Sequence, residues 1–310
     1  MSSSIPRSEI IGMPMIGFGT WQIPKESAES LVATAIKVGY NHIDCAHIYG
    51  NEAEIGNVFS KVQNRKDLYI VSKLWSTDHL PHRVAPACQT TLENLKLDYL
   101  DVYLIHNPFR FSEQNEPLYS KKEWVLETWR EMVKLKEAGK AKHIGVSNFT
   151  TKKLHWLLDE GEKPENNQVE LQPYLPQNKL LRFCKENRIE LTAYSPLGSP
   201  NTKMALADTT LPGIPKILDD PLIVSIAKSH SATPAQVLLK WGMLRGSPVL
   251  VKSSSESRMK ENLESVKLQL TEQDMKSISN IKTQHRYLDF KFVIPPGRSD
   301  AEVWDNEYFN

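Results

Sequence analysis

Leu68-Tyr69-Ile70-Val71-Ser72-Lys73-Leu74 and Asp101-Val102-Tyr103-Leu104-Ile105-His106 are short runs rich in β-branched and aromatic residues. The chain between them carries Val84, Ala87, Cys88, Leu92 and Leu95 at spacings of three and four. Runs of the first kind suit buried strands, and a stripe of the second kind predicts a helix over 84–97. Strand, helix and strand in that order form a β-α-β unit, the connection that parallel strands require.

The same alternation extends to both ends of the chain. Further strands are expected over 15–19, 42–46, 143–146, 167–171, 190–194 and 248–251. Helices are expected over 27–38, 52–62, 124–138, 151–158, 178–186, 221–230, 234–244 and 258–266. Gly139 stops one helix, and Thr271-Glu272-Gln273-Asp274 opens another with a capping-box pattern. Repeated β-α pairs predict an α/β chain folded as a single (β/α)8 TIM barrel, its active site at the C-terminal ends of the strands. The expected domain is 1–310, with 285–310 as a tail over the barrel mouth. A doubly wound sheet is the competitor. It would call for G-x-G-x-x-G after the first strand, but Gly17-Phe18-Gly19-Thr20-Trp21-Gln22 lacks the third glycine and places a bulky Trp21 where pyrophosphate would approach.

Composition narrows the function. Of 310 residues, 40% are hydrophobic and 24% charged, which is ordinary for a globular chain and excludes disordered, collagenous and coiled-coil classes. The net charge of +1 provides no basic excess for phosphate backbones, so no nucleic-acid partner is expected. No apolar run approaches the ~20 residues of a membrane span, and no signal-peptide pattern follows the Ser-rich start. Cys45, Cys88 and Cys184 are odd in number and widely spaced, which suits reduced thiols and a cytoplasmic location.

A barrel packs Val, Ile and Leu inward, so polar residues at strand ends are the informative exceptions. Asp44, Lys73 and His106 stand at the ends of three successive strands, and Tyr49 follows in the loop after Asp44. Each alone has a plainer reading: a barrel-end ion pair, a core histidine, a packing tyrosine. Together they build a general acid. A free phenol with a pKa near 10 is a poor proton donor. An ammonium ~4 Å away at an effective dielectric of ~20 favours its phenolate by about 4 kcal/mol before desolvation opposes it. The aspartate would keep the lysine charged, and the histidine would hold a substrate oxygen. There is no G-x-S-x-G elbow and no Walker-A segment; no carboxylate or cysteine completes a metal set with His79 and His82, and His42 and His47 flanking Asp44 are the weaker alternative as ligands, so no metal is expected. In the second half, Lys252, Ser253, Ser254, Ser255 and Arg258 lead into a helix, where free N–H groups and the dipole suit a phosphate; a solvated serine-rich loop is the alternative.

With these segments in order, the chain resembles an aldo-keto reductase, of the aldose reductase-like kind. The resemblance rests on Gly17-Phe18-Gly19-Thr20-Trp21, Asp44 with Tyr49-Gly50-Asn51-Glu52, Ser72-Lys73-Leu74-Trp75, Leu104-Ile105-His106, Gly145-Val146-Ser147-Asn148-Phe149, Asn167-Gln168-Val169-Glu170, Ala193-Tyr194-Ser195-Pro196-Leu197-Gly198 and Lys252-Ser253. It implies a monomer that reduces aldehyde or ketone carbonyls of small molecules with NADPH, which becomes NADP+. It implies Tyr49 as proton donor, tuned by Lys73 and Asp44, with His106 orienting the carbonyl. Tyr194 would stack on the nicotinamide, and Ser147, Asn148 and Gln168 would hold its carboxamide. Lys252, Ser253 and Arg258 would take the 2′-phosphate, a pairing that favours NADPH over NADH, with Glu261 and Asn262 at the adenine. Gly19, Thr20, Trp21, Ser195, Leu197, Ser199 and Ser255 complete the implied cofactor contacts.

Trp21, Tyr49, Trp75, His106 and Asn107 are the expected substrate residues, with Trp304 as a further aromatic wall. Asn107 departs from the tryptophan usual after this histidine, and 108–123 is short for the covering loop, so the pocket's walls are expected to differ. Two other readings of the scaffold compete: a non-catalytic NADPH-binding or structural module, as in channel-associated subunits and lens proteins resembling this family, and a hydrolase or isomerase pairing Asp44 with Glu170.

Overall fold

The alternation closes on itself. In the computed structural model, which describes residues 5–112, 116–118, 120–198, 216–288, 290, 294, 297 and 299–307, eight parallel strands form a barrel. They are β1 (Ile16–Gly19), β2 (His42–Asp44), β3 (Tyr69–Leu74), β4 (Leu100–Ile105), β5 (Ala141–Ser147), β6 (Asn166–Glu170), β7 (Glu190–Tyr194) and β8 (Val249–Val251). Each neighbours the next in sequence, and β8 returns to pair with β1, Ile16 standing opposite Val249.

The helices that cover the barrel are α1 (Lys25–Val38), α2 (Glu52–Phe59), α3 (Pro81–Leu95), α4 (Lys122–Glu137), α5 (Thr151–Leu158), α6 (Asn178–Glu186), α7 (Pro221–Ser229), α8 (Pro234–Leu244), α9 (Glu256–Glu264) and α10 (Glu272–Ser279). Their starts follow local chemistry. Thr233 and Gln236 close a capping box on α8, with Pro234 at its first position. Thr271 and Asp274 do the same for α10. Ser255 caps α9, so that helix begins two residues before the expected 258.

The main core lies between the strands and this helical layer, where Ile43, Ile70, Ile105, Trp129 and Trp241 are buried. Helices α2 and α3 approach closely because residue 56 is glycine; a Cβ there would meet the Asn94 carbonyl oxygen at 2.0 Å. Inside the barrel, Tyr69, Val71, Val102 and Leu104 pack with Ile11 and Met13. Those two residues come from an N-terminal turn closed by an antiparallel bridge between Arg7 and Pro14. That plug fills the lower end and leaves the strands' C-terminal ends as the open face.

A short ribbon, a turn in the tail and 3-10 turns such as His47–Tyr49 were not expected from the sequence. Arg110–Phe111 and Pro117–Leu118 pair as a short antiparallel ribbon within the 108–123 loop. A single turn, α11 (Asp300–Val303), stands in the tail. Among the described residues, no helix is long and apolar enough to cross a membrane.

Candidate active site

β2, β3 and β4 run in register, so their ends deliver three polar side chains to one place. Lys73, on β3, is fully buried, and its ammonium uses all three of its hydrogens. It donates to Asp44 Oδ1 at 2.5 Å, to the Cys45 carbonyl at 2.8 Å and to the Tyr49 hydroxyl at 3.4 Å. The second Asp44 oxygen accepts from Gln168 Nε2 at 2.7 Å, across the barrel on β6. Thr20 ties the same residue from the backbone side, donating through N and Oγ1 to the Asp44 carbonyl. Tyr49 closes a 3-10 turn, His47–Tyr49, that Gly50 ends with φ at +69°. His106 follows β4 directly, edge-on to Tyr49 with ring centroids 5.7 Å apart and to Trp75 at 5.2 Å.

Electrostatics sets the protonation of each group. Burial opposes the Lys73 charge, but Asp44 and Tyr49 outweigh it and hold its pKa above the ordinary lysine value. Burial, with Lys73 and His79 adding to it, drives His106 well below the ordinary histidine range. The imidazole is therefore neutral and carries one N–H, and its Nδ1 is buried with no hydrogen-bond partner among the described residues.

For Tyr49 the outcome differs from the sequence-based expectation. Lys73 pulls the phenol pKa down as foreseen. Burial is the larger effect, Asp44 works with it, and the phenol is pushed up to about 12. Desolvation depends on how deeply the ring sits, which residue spacing does not reveal.

These groups open onto a cleft of about 810 Å³ that runs from Trp21, Tyr49, Trp75 and His106 to Lys252, Arg258 and Asn262. Its middle is a hydrogen-bonded ledge. Ser147 Oγ donates to the Gln168 carbonyl at 2.7 Å. Asn148, at φ +64°, donates from Nδ2 to the His106 carbonyl at 2.9 Å and accepts from the Tyr194 hydroxyl at 2.7 Å. At the far end, Ser253, Ser254 and Glu261 join the lining, and Glu261 is steadied by Thr233 Oγ1 at 3.0 Å.

Most residues singled out from the sequence meet in this one cleft: Gly19, Trp21, Asp44, Tyr49, Trp75, His106, Ser147, Asn148, Gln168, Tyr194, Ser195, Leu197, Lys252, Ser253, Arg258, Glu261 and Asn262. Several do not line it. Lys73 lies behind Asp44 and Tyr49, Thr20 is buried against Asp44, and Ser255 is the α9 cap. Asn107 turns away from the cleft: its Oδ1 accepts from Ser76 Oγ at 3.0 Å and from the Phe109 amide at 2.9 Å, so it is an internal brace and not a substrate wall. Trp304 packs on Phe290 instead of facing the opening. Ser199 lies outside the described residues.

The sequence reading missed Ile48, Leu288 and Phe290 as cleft walls. Ile48 adjoins Tyr49 and is 46% exposed, rare for a large apolar residue here. The two tail residues arrive by a long-range tether. Glu170, fully buried, accepts from the Tyr287 and Leu288 amides at 2.9 and 2.8 Å. With its oxygens so engaged, Glu170 is poorly placed to pair with Asp44 as a hydrolytic carboxylate.

Comparison with known proteins agrees with the geometry. A profile described as the aldo/keto reductase family matches residues 10–283. An aldo/keto reductase of Synechocystis sp. is 42% identical, the match covering 94% of this chain and 93% of that protein. Aldo-keto reductase family 1 member C2 of Homo sapiens is 40% identical over 92% and 93% of the two chains. Aldo-keto reductase family 4 member C11 of Arabidopsis thaliana is 39% identical over 95% of each.

Proposed function

Because the chain belongs to the aldo/keto reductase family, whose members are oxidoreductases acting on carbonyls with nicotinamide cofactors, we propose that it reduces aldehydes or ketones with NADPH and that Tyr49 is the proton donor. The observation that carries this reading is the Lys73 ammonium, shared between Asp44 and the Tyr49 hydroxyl beside a neutral His106.

A nicotinamide cofactor fits the donor set of the cleft. Ser147, Asn148 and Gln168 offer amide and hydroxyl groups for a carboxamide, and Tyr194 offers an aromatic face. Lys252 and Arg258 offer two cations at the far end, better used by a 2′-phosphate than by a free hydroxyl. When bound, the cofactor supplies the hydride.

The remaining chemistry belongs to the chain. The neutral His106 donates its N–H to the carbonyl oxygen and sets its direction. Tyr49 gives its proton to the same oxygen as negative charge develops there. The phenolate left behind sits beside Lys73, whose charge Asp44 maintains. Trp21, Ile48, Trp75 and Phe290 give the opening apolar walls, suited to an uncharged carbonyl compound.

A panel of carbonyl compounds assayed with NADPH and NADH side by side tests the proposal. NADPH oxidation with at least one class of aldehyde or ketone, and weaker activity with NADH, is expected. NADPH binding without turnover across the panel would favour a binding module on the same barrel, and no nucleotide binding would overturn both.

A further inference from the structure

We infer that Glu52 and His47 are positioning residues for the Tyr49 turn: the buried Glu52 carboxylate anchors that turn to the strand carrying Lys73, and protonated His47 completes the anchor. The inference rests on Tyr49 being the proton donor and adds to it a dependence on a second buried carboxylate.

Glu52 opens α2, only three residues past Tyr49, and is 2% exposed. It takes no part in the chemistry above, yet three elements converge on it. Ser72 Oγ, one residue before Lys73 on β3, donates to Glu52 Oε1 at 2.6 Å. Thr91 Oγ1, on α3, donates to Oε2 at 3.3 Å. His47 Nδ1, at the first position of the 3-10 turn that ends in Tyr49, stands 3.8 Å from Oε2.

A buried carboxylate is expensive without a compensating charge. Two hydroxyls satisfy its lone pairs but leave its charge. His47 supplies the opposite charge only when protonated, and at 3.8 Å its contribution is mainly electrostatic. Its Nδ1 is a buried atom with no hydrogen bond among the described residues.

The link matters because of what stands on either side. The Lys73–Tyr49 contact is long, at 3.4 Å, and joins a strand to a turn. Asn51 pins the other end of that turn, donating from Nδ2 to the Thr20 and Ile23 carbonyls at 3.1 and 3.0 Å. Glu52 is a second tie between the turn and β3, reaching Ser72 on the strand and His47 on the turn. A shift of ~1 Å in a reacting group can lower a rate by ~100-fold.

The pairing is sensitive to pH. Glu52, with Asp78 on the turn after β3 adding to it, raises the His47 pKa above its ordinary value against the opposing effect of burial. The anchor is therefore complete below the ordinary histidine value and lost as pH rises through the raised one. The other groups at the site titrate elsewhere: Tyr49 at about 12, His106 well below the histidine range, and Lys73 above the lysine value.

The test is the pH profile of kcat for wild type, His47→Gln and Glu52→Gln between pH ~6 and ~9, a window bracketing histidine titration. Alongside it, NADPH affinity is measured by fluorescence quenching, and the His47 titration is followed by NMR in wild type and Glu52→Gln. Wild-type kcat is expected to fall several-fold across that window, and His47→Gln to be flat at the lower plateau. Glu52→Gln is expected to lose about tenfold or more in kcat with NADPH affinity within about twofold, and its His47 to titrate lower. His47→Gln that keeps the wild-type rate and profile would overturn the inference. That variant lies at a half-exposed side chain, so it stays informative even if Glu52→Gln folds poorly. A wild type that reduces no carbonyl would instead sink the proton-donor reading.

Discussion

Replacing Lys73 with methionine removes one charge and little volume from the centre of the site. The ammonium lies 3.4 Å from the Tyr49 oxygen. At an effective dielectric of ~20, its attraction for a phenolate there is about 5 kcal/mol. That attraction acts on the charge that appears as the proton leaves, not on the neutral phenol before it. Each ~1.4 kcal/mol is a factor of ten in rate, so kcat is expected to fall by ~100- to ~1,000-fold once relaxation takes its share. The same change leaves the buried Asp44 carboxylate with Gln168 as its one remaining partner among the described residues and should destabilise the fold by ~3–5 kcal/mol. Adding Asp44→Asn separates the two effects. The double variant should recover part of the melting temperature and none of the turnover. Single-turnover kinetics at saturating NADPH and aldehyde, with melting curves on the same samples, is the assay. Lys73→Met turnover within about tenfold of wild type would refute the role given to the ammonium.

Two further outcomes follow from the same geometry. Lys252→Ala and Arg258→Ala should each weaken NADPH binding by about tenfold to a hundredfold and leave NADH nearly unchanged, since a charged hydrogen bond to phosphate contributes ~1.5–3 kcal/mol; titration with both nucleotides reads this directly. In the tail, Asp305 bonds to the buried Lys153 and to Thr150, while Glu307 bonds to Thr151 at the start of α5. Burial pushes the Asp305 carboxyl up, but Lys153, Thr150 and Lys152 outweigh it and hold it below the ordinary aspartate value. This anchor contributes stability above the ordinary carboxylate range and loses it as pH falls through the lowered value. Asp305→Asn should therefore lower the melting temperature near neutrality by roughly 5–8 °C, taking ~3–5 kcal/mol for a broken buried pair, with the gap narrowing in acid.

Much of this molecule was legible because barrel strands are buried on both faces and read as apolar runs. The strand expected over 190–194 is observed at Glu190–Tyr194, and the helix expected over 178–186 at Asn178–Glu186. Boundaries moved where a cap or proline decided them, as at Ser255 and Pro81. The ribbon at Arg110–Phe111 has no period to detect. Asp44, Lys73 and His106 stood out because polar side chains at strand ends interrupt an apolar pattern. Asn107 was misassigned because β4 ends at Ile105, and beyond a strand alternation no longer tells which way a side chain points. Leu288 and Phe290 were invisible as cleft walls, since the Glu170 tether that brings the tail in spans more than a hundred residues. The sign of the Tyr49 shift was lost for a different reason: charge separation can be guessed from strand order, but depth of burial cannot.

The proton on the Tyr49 oxygen is the centre of the account, and Tyr49→Phe removes it while keeping the ring against His106. The measurement is kcat for carbonyl reduction by this variant at saturating NADPH, with NADPH affinity determined on the same protein. The account predicts a fall of at least ~100-fold with affinity little changed, the size expected for loss of a positioned general acid. Turnover close to that of wild type would contradict it.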